Sequence, residues 1–229
     1  MNIHQIYRPI LTYFRKKRLK KFYSFFQITE QSKLLDIGGD LFFWELAKKE
    51  GYSLPKITIV NLYPSNRELP ENIDWVVADG KKLPFDDLSF DIAFSNSVIE
   101  HVGSWESQVD FAKEIKRISH QYFIQTPSQS FPVEPHLLTP FIHWLPKKAQ
   151  RPLLRNFTVW GLLTRPNQDY CDNLLAELQL LKKKQMEELF PEGKILVEKS
   201  LGLEKSLIAI KSSYKDLSKM GNHKTTAPA

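Results

Sequence analysis

Four polar residues of the sequence each stand where a short, β-rich apolar run ends. Asp36 offers a carboxylate that can meet an amino group, and Asn61 offers an amide that can bond ribose hydroxyls. Asp79 can accept from an exocyclic amine such as that of adenine, and Asn96 presents an amide to the far end of the same ligand. Each residue alone is typical of a turn or a helix cap. Four of them at consecutive strand ends predict a site for a nucleoside-type cofactor.

Two glycines, Gly38 and Gly39, follow the first of these runs and would let a ligand approach bare backbone. A dinucleotide cofactor requires G-x-G-x-x-G at this place, and the chain lacks that pattern. The G-x-S-x-G turn of serine hydrolases is missing as well. The sequence therefore argues against nicotinamide or flavin dinucleotides and against hydrolysis through a serine nucleophile.

Three further residues are candidates for a general base: His101 after the fourth run, and Glu134 with His136 after the fifth. A histidine near its ordinary pKa can take the proton of a hydroxyl acceptor. The alternative is structural, with His101 packing or capping a helix and the other two holding a loop. His143 is expected to be structural. The six histidines are scattered and no H-E-x-x-H is present, so we expect no metal site.

These residues need elements that bring strand ends together, and alternating β-rich and helical patterns predict them. Five strands are predicted, over residues 33–37, 56–61, 74–79, 90–95 and 122–125. Helices are predicted over 41–49 and 105–118. Two strands at 194–199 and 206–211 predict a closing antiparallel hairpin. The fold class is therefore α/β: a Rossmann-like doubly wound sheet, mostly parallel, with a reversed last strand, an N-terminal helix and a helical cap insertion.

The chain divides by composition into five segments. They are a basic amphipathic helical extension (1–30), a cofactor-binding core (31–127), a cap insertion on the acceptor side (128–191), the closing hairpin (192–212) and a flexible tail (213–229). The insertion is rich in proline and aromatic residues and contains a helical stretch near 168–181. Its aromatic side chains suggest an acceptor with apolar or ring surface.

The positive charge is concentrated near the start of the chain. Of a net charge of +6, residues 15–21 hold six cationic side chains. On a helical wheel, one side carries Leu11, Phe14, Leu19, Phe22, Phe25 and Phe26, and the other Lys16, Lys17, Lys20 and Lys21. This pattern favours a helix packed on the core with a solvated basic face. The alternative is peripheral attachment to an anionic membrane surface; nucleic acid is not expected as a partner.

Composition places the chain in the soluble globular class, with 42% apolar and 25% charged residues over 229 positions. This argues against disorder and against a disulfide scaffold. The single cysteine, Cys171, cannot form an internal disulfide, so a reducing compartment and a cytoplasmic location are expected. No apolar run approaches the roughly 18 residues of a membrane span. The oligomeric state stays open.

Three segments carry a family resemblance: LLDIGG at 34–39, VADG at 77–80 followed by LPF at 83–85, and FDIAFSNSVIEHV at 90–102. They resemble successive motifs of class I S-adenosylmethionine-dependent methyltransferases of the small methyltransferase-domain, type 11-like family. The resemblance covers about 33–126 and implies S-adenosyl-L-methionine as cofactor. It implies that the methionine part is lined by Asp36, Gly38, Gly39 and Asn96, the ribose and adenine by Asn61 and Leu62, and the adenine edge by Asp79 and Gly80.

Two departures from the family pattern D-x-G-x-G-x-G stand out. Bulky residues 40–44 follow Gly39 and are expected to narrow the loop, and Asn61 replaces the usual acidic residue while keeping its hydrogen-bonding capacity. The expected function is methyl transfer to a small or medium acceptor, with an apolar or lipid-like one as the most specific form. A non-catalytic binding or scaffold module of the same fold is the alternative, and the altered loop is its support. An RNA or protein methyltransferase would require a basic groove beside the strand ends, which the charge pattern does not favour.

Overall fold

The computed structural model of the chain describes residues 3–134 and 136–214, and for residues 3–11 it describes the backbone only. The predicted tail falls almost entirely outside these residues. The strands are β1 (Lys33–Ile37), β2 (Lys56–Asn61), β3 (Ile73–Val77), β4 (Phe90–Asn96), β5 (Ser119–Pro127), β6 (Val133–Glu134), β7 (Thr139–Pro140), β8 (Lys194–Ser200) and β9 (Leu203–Lys211). The helices are α1 (Ile3–Phe25), α2 (Leu41–Lys49), α3 (Trp105–Ile118), α4 (Lys147–Phe157), α5 (Val159–Thr164), α6 (Gln168–Glu177) and α7 (Lys183–Leu189).

Seven strands form one sheet in the order β3-β2-β1-β4-β5-β9-β8. The neighbouring pairs among β1 to β5 are parallel, whereas β9 runs antiparallel to both β5 and β8. All seven predicted strands are present, and the predicted fold class is confirmed. Because β1 to β5 point the same way, their carboxyl ends meet at one edge of the sheet, which is where such sheets bind ligands.

Each face of the sheet is covered by its own apolar layer. One layer joins the strands to α1 and α2 through Phe22, Trp44 and Phe94. The other joins them to α3 and α7 through Phe111, Ile115 and other residues. The near-continuous burial of β1 and β4 agrees with a sheet that is covered on both sides. Helices packed on both faces therefore fix the position of the sheet and of its carboxyl edge.

The first helix is part of the core. Leu19, Phe22, Phe25 and Phe26 are at most 3% exposed, while the lysine face at 16, 17 and 20 is exposed, as the wheel predicted. Leu11 was predicted to lie on the apolar side of this helix, but its side chain is outside the described part of the structure. Packing on the core is thus confirmed for the carboxyl-terminal half of α1. Within the described residues, no helix is both long and apolar enough to cross a membrane.

The cap insertion has a small core of its own. Leu137, Ile142, Leu154, Cys171 and Leu175 form a buried cluster between the short strands and helices α4 and α6. The predicted helix over 168–181 ends at Glu177. Helix α7, which sequence analysis assigned to the insertion, packs instead in the main core layer with α3 and β8, so the insertion ends before it.

Candidate functional site

The turn after β1 leaves its backbone open to a ligand. Gly38 is exposed, with φ at +75°, a conformation that strongly favours glycine. A Cβ at Gly38 would lie 2.6 Å from Val98, and one at Gly39 would lie 1.9 Å from Oδ2 of Asp36. Both glycines are therefore required by the local geometry.

Asp36 is placed differently from the prediction that it meets a cofactor amino group. Its side chain is 1% exposed, and Oδ2 accepts a hydrogen bond of 2.8 Å from the indole Nε1 of Trp44. Burial raises the pKa of Asp36, the Trp44 hydrogen bond opposes this shift and the neighbouring Asp40 adds to it, and the resulting pKa is about 8. The carboxyl thus lies buried directly beside Gly39, where Trp44 holds it, and is not exposed at the surface of the turn.

Three of the four bulky residues after Gly39 are buried and do not narrow the loop, contrary to the expectation, whereas Phe42 is half-buried against Arg15. Asp40 caps α2 by accepting from the backbone N–H of Phe43, and this turns Phe43 and Trp44 into the core, where they are 4% and 0% exposed. Trp44 lies against Phe22 and Phe94. The helix cap decides the direction of these side chains, and a pattern of residue sizes alone does not reveal it.

Asp36 gives a testable pH dependence. Its pKa is raised on folding from an ordinary value near 3.8 to about 8, so the folded chain holds a proton that the unfolded chain releases. This contribution to stability is complete below about pH 4 and is lost as the pH rises through about 8. We expect urea unfolding of wild type to show a free energy of unfolding that falls between pH 5 and pH 8, and Asp36→Asn to show a smaller fall. Equal slopes for the two proteins would contradict this assignment.

The ends of β2 and β3 form an open, half-apolar surface. Asn61 donates from Nδ2 to the carbonyl of Gly39 at 3.1 Å, which ties the first turn to the second strand. Leu62 is 60% exposed beside it. The side chain of Asp79 is 48% exposed and accepts from the backbone N–H of Lys81, and Gly80 packs closely on Phe111. An exposed aliphatic side chain after one strand and a half-exposed carboxylate after the neighbouring strand, 3.5 Å from Nζ of Lys81, suit a flat, amino-bearing ring.

The end of β4 is linked to α1 through Arg18, a residue that the sequence analysis missed. Arg18 is 7% exposed, and its guanidinium donates to Oδ1 of Asn96 at 3.0 Å, to Glu198 at 3.1 Å and to Ser206 at 3.2 Å. Arg18 lies within the basic run at 15–21, and the sequence pattern does not distinguish it from the lysines that are expected to face solvent. The signal that could have found it is its place one residue before the buried Leu19.

On the β4–β5 side of the edge, four titratable side chains come together. Nε2 of His101 lies 3.1 Å from Nε2 of His136, and Nδ1 of His136 lies 2.6 Å from Oε1 of Glu134. The other oxygen of Glu134 accepts from the backbone N–H of Leu137 at 2.5 Å. Glu100 completes the group. The two histidines are 35 residues apart in the chain, but the loops after β4 and β5 are neighbours because those strands pair.

The electrostatics of this cluster follow from burial. Glu100 is 0% exposed, which raises its pKa to about 7, although Oε2 accepts from the hydroxyl of Thr126 at 2.9 Å. Burial and the adjacent His136 lower the pKa of His101 to about 4. Burial acts to lower the pKa of His136, but its hydrogen bond to Glu134 and the charges of Glu134 and Glu100 together outweigh this, so the pKa is raised. Sequence analysis expected scattered histidines; the fold brings two of them together with two carboxyl groups.

His143, for which a structural role is predicted, contacts other parts of the cap. Its Nε2 pairs with the carbonyl oxygen of Gln129 at 3.1 Å, and its ring lies against Trp144. Behind Glu134 and His143, a cavity of about 340 Å³ opens in the cap. Its walls are about half apolar, formed by seven leucines and Pro146, and about half polar, with four glutamines among the polar side chains. The size falls at the lower end of the range for small-ligand pockets.

Comparisons with known proteins agree with this fold. Residues 39–121 match the family model described as methyltransferase domain. No curated protein sequence matches the chain. Many solved structures resemble it in fold. The methyltransferase in complex with the Haloferax volcanii Trm112 activator has a TM-score of 0.51 and 11% identity, over 86% of this chain and 87% of that one.

Another of these structures is a Haemonchus contortus phosphoethanolamine N-methyltransferase 2 bound to phosphomonomethylethanolamine and S-adenosylhomocysteine. Its TM-score is 0.52 at 15% identity, over 80% of this chain but only 38% of that one. At these identities the likeness is one of fold. Residues 39–121 are thus similar to a methyltransferase domain and lie on a Rossmann-like sheet, and the predicted resemblance to class I S-adenosylmethionine-dependent methyltransferases is confirmed.

Proposed function

We propose that this protein transfers a methyl group from S-adenosyl-L-methionine to a small or medium acceptor with an apolar part, and releases S-adenosylhomocysteine. The observation that carries the proposal is the line of polar strand ends and open glycine backbone along one edge of a methyltransferase-type sheet. The Haemonchus contortus relative was solved with S-adenosylhomocysteine and with S-adenosyl-L-methionine, which supports the choice of cofactor.

The residues of the site form two groups, and each group suits one half of this cofactor. The adenosine half is assigned to Asn61, Leu62, Asp79 and Gly80, where an exposed apolar surface adjoins an accessible carboxylate. The methionine half is assigned to Gly38, Gly39 and Asn96. Asp36 acts on this half indirectly, by stabilising the turn together with Trp44. The bound cofactor supplies a methyl group on a positively charged sulfur, which is open to direct displacement.

The remaining residues of the site are assigned to binding and orienting the acceptor. Direct displacement requires alignment of the acceptor with the methyl group and exclusion of water more than it requires acid–base chemistry. His101 and His136 present imidazole nitrogens at the same edge, and Glu134 orients His136 through Nδ1. We assign these three residues to the acceptor side, where they orient its proton-bearing atom. The adjoining cavity, lined by leucines and by polar side chains in about equal share, suits an acceptor with a hydrocarbon portion and a polar portion.

The non-catalytic alternative relied on a loop narrowed by bulky residues. Phe43 and Trp44 point into the core, so the loop gives that alternative no support. A scaffold with this fold would still be recognised by cofactor binding without turnover on any acceptor. A cytoplasmic location and membrane contact through the basic face of α1 remain expectations from the sequence.

Asp79 provides the direct test of the cofactor assignment. We expect calorimetric titration with S-adenosylhomocysteine to give micromolar binding, and Asp79→Ala to weaken it by tenfold or more, about 1.4 kcal/mol. The reason is the loss of the acceptor for the adenine amine. Asp110→Ala, an exposed change on α3, is the matched control and should bind like wild type. No binding by the wild type would overturn the methyltransferase assignment, and unchanged binding by Asp79→Ala would overturn the adenine site.

A further inference from the structure

In the cluster at the β4–β5 side of the edge, nitrogen and oxygen atoms that can bind a metal ion lie close together. Methyl transfer by itself does not require this arrangement. The ligand atoms of Glu100, His101 and His136 all lie within 4.8 Å of one another. Two nitrogen ligands of a tetrahedral zinc ion, each about 2.0–2.1 Å from the metal, lie roughly 3.3 Å apart. The two Nε2 atoms are 3.1 Å apart. The histidine pair is thus already spaced as two ligands of one ion.

Glu134 fixes the orientation of one ligand. Its Oε1 lies 2.6 Å from Nδ1 of His136, so the proton of the neutral ring sits on Nδ1 and the lone pair is on Nε2, directed at His101. Metal-bound histidines usually donate their other ring N–H to a carboxylate in this way. The space between the two Nε2 atoms must therefore hold either a proton, carried by one of the two rings, or a cation.

Glu100 supplies a second, independent observation. Its side chain is fully buried, and among the described residues Oε1 has no hydrogen-bond partner although Oε2 is satisfied by Thr126. Leaving a buried carboxyl oxygen without a partner is costly. A cation bound between Glu100 and the two histidines would satisfy this oxygen and the facing nitrogens together.

We propose that Glu100, His101 and His136 form a binding site for a divalent transition-metal ion of the zinc type. Two imidazoles and one carboxylate suit zinc and its neighbours, whereas magnesium and calcium prefer oxygen ligands throughout. Three protein ligands leave a coordination position open, as in catalytic zinc sites. This assignment departs from the sequence expectation of no metal, because the scattered histidines become neighbours only through strand pairing.

The open position lies on the acceptor side of the site. There a bound ion would hold an acceptor oxygen or nitrogen and favour its deprotonated form. This consequence rests on the proposed function, whereas metal binding itself does not. The orienting role assigned to the two histidines would then be exerted through the ion.

The test is metal binding without cofactor or acceptor. Full-length protein is stripped with a chelator and titrated with Zn²⁺ by calorimetry and with Co²⁺ by visible absorption. We expect one ion per chain and the intense d–d bands of four- or five-coordinate Co²⁺ with nitrogen ligands. His101→Gln, His136→Gln and Glu100→Gln should each weaken binding by at least tenfold, and Glu134→Gln by about 10- to 100-fold, as for other residues that orient ligands.

Two histidine variants serve as controls. His120→Gln at an exposed position of β5 and His143→Gln in the cap should bind the ion like wild type. Circular dichroism confirms that each variant is folded, and the wild-type Co²⁺ spectrum tests the site even if a variant fails to fold. Wild-type protein that binds no ion, or binding that the ligand variants leave unchanged, overturns the metal site. Since these titrations contain no S-adenosylmethionine, a failed metal titration and a failed cofactor titration remain separate results.

Discussion

Replacement of Phe22 by alanine is expected to lower the free energy of unfolding by about 3–5 kcal/mol, the usual cost for a buried phenylalanine. Phe22 is 0% exposed and contacts Trp44, Phe94 and Phe123 through ring contacts that join α1 to α2 and the sheet. The variant removes these contacts and leaves a cavity at the junction of three elements. Urea unfolding followed by tryptophan fluorescence measures the change.

Phe157→Ala is the matched control for this prediction. Phe157 lies at the end of α4 and is 70% exposed, so the same substitution there should change stability by no more than about 0.5 kcal/mol. Equal small losses for the two variants would show that α1 is only loosely attached to the sheet. That result would support the alternative interpretation, in which α1 attaches to another surface such as a membrane.

Arg18→Met is expected to cost about 3 kcal/mol of folding free energy. The side chains of Arg18 and Glu198 are only 9% and 10% exposed, and removal of one partner from a buried ion pair leaves the other charge uncompensated. Methionine keeps the apolar stem, so the loss reports on the guanidinium. Lys21 is 3.8 Å from Glu198 and keeps the loss at the lower end of the range for such pairs. Thermal or urea unfolding gives the value.

A double-mutant cycle decides whether the pair explains this loss. Glu198→Leu added to Arg18→Met should recover part of the stability, because no buried charge is then left alone. The exposed pair of Arg151 and Asp172 provides the comparison, and Arg151→Met should cost less than about 1 kcal/mol. If Arg18→Met costs no more than Arg151→Met, the buried network does not hold α1 at the carboxyl edge. Weaker S-adenosylhomocysteine binding by Arg18→Met would in addition show that Asn96 depends on this contact.

Much of the fold could be predicted because its signals are local. Runs such as 33–37 and 56–61 are short, β-rich and followed by turn residues, so strand positions follow from a few adjacent residues. Helix α3 follows from the spacing of its apolar residues. The common location of the polar residues at the strand ends can be predicted as well, because the carboxyl ends of parallel strands meet at one edge of the sheet.

Side-chain direction in the first turn could not be predicted in this way. The residues after Gly39 have the size to block a cofactor, and only the cap formed by Asp40 and the apolar surface of α1 turn Phe43 and Trp44 inward. The buried state of Asp36 has the same origin, because Trp44 covers it only after α1 and α2 have packed.

The sequence by itself determined the strands, the crossover helix α3, the amphipathic first helix and the identity of the polar strand ends. Each depends on contacts or periodicity within a few residues. Tertiary structure alone decided that Arg18 reaches Asn96 and Glu198, and that His101 meets His136. These contacts join residues 35 to 180 positions apart, and such pairs become neighbours only when the strand order and the packing of α1 bring their elements together.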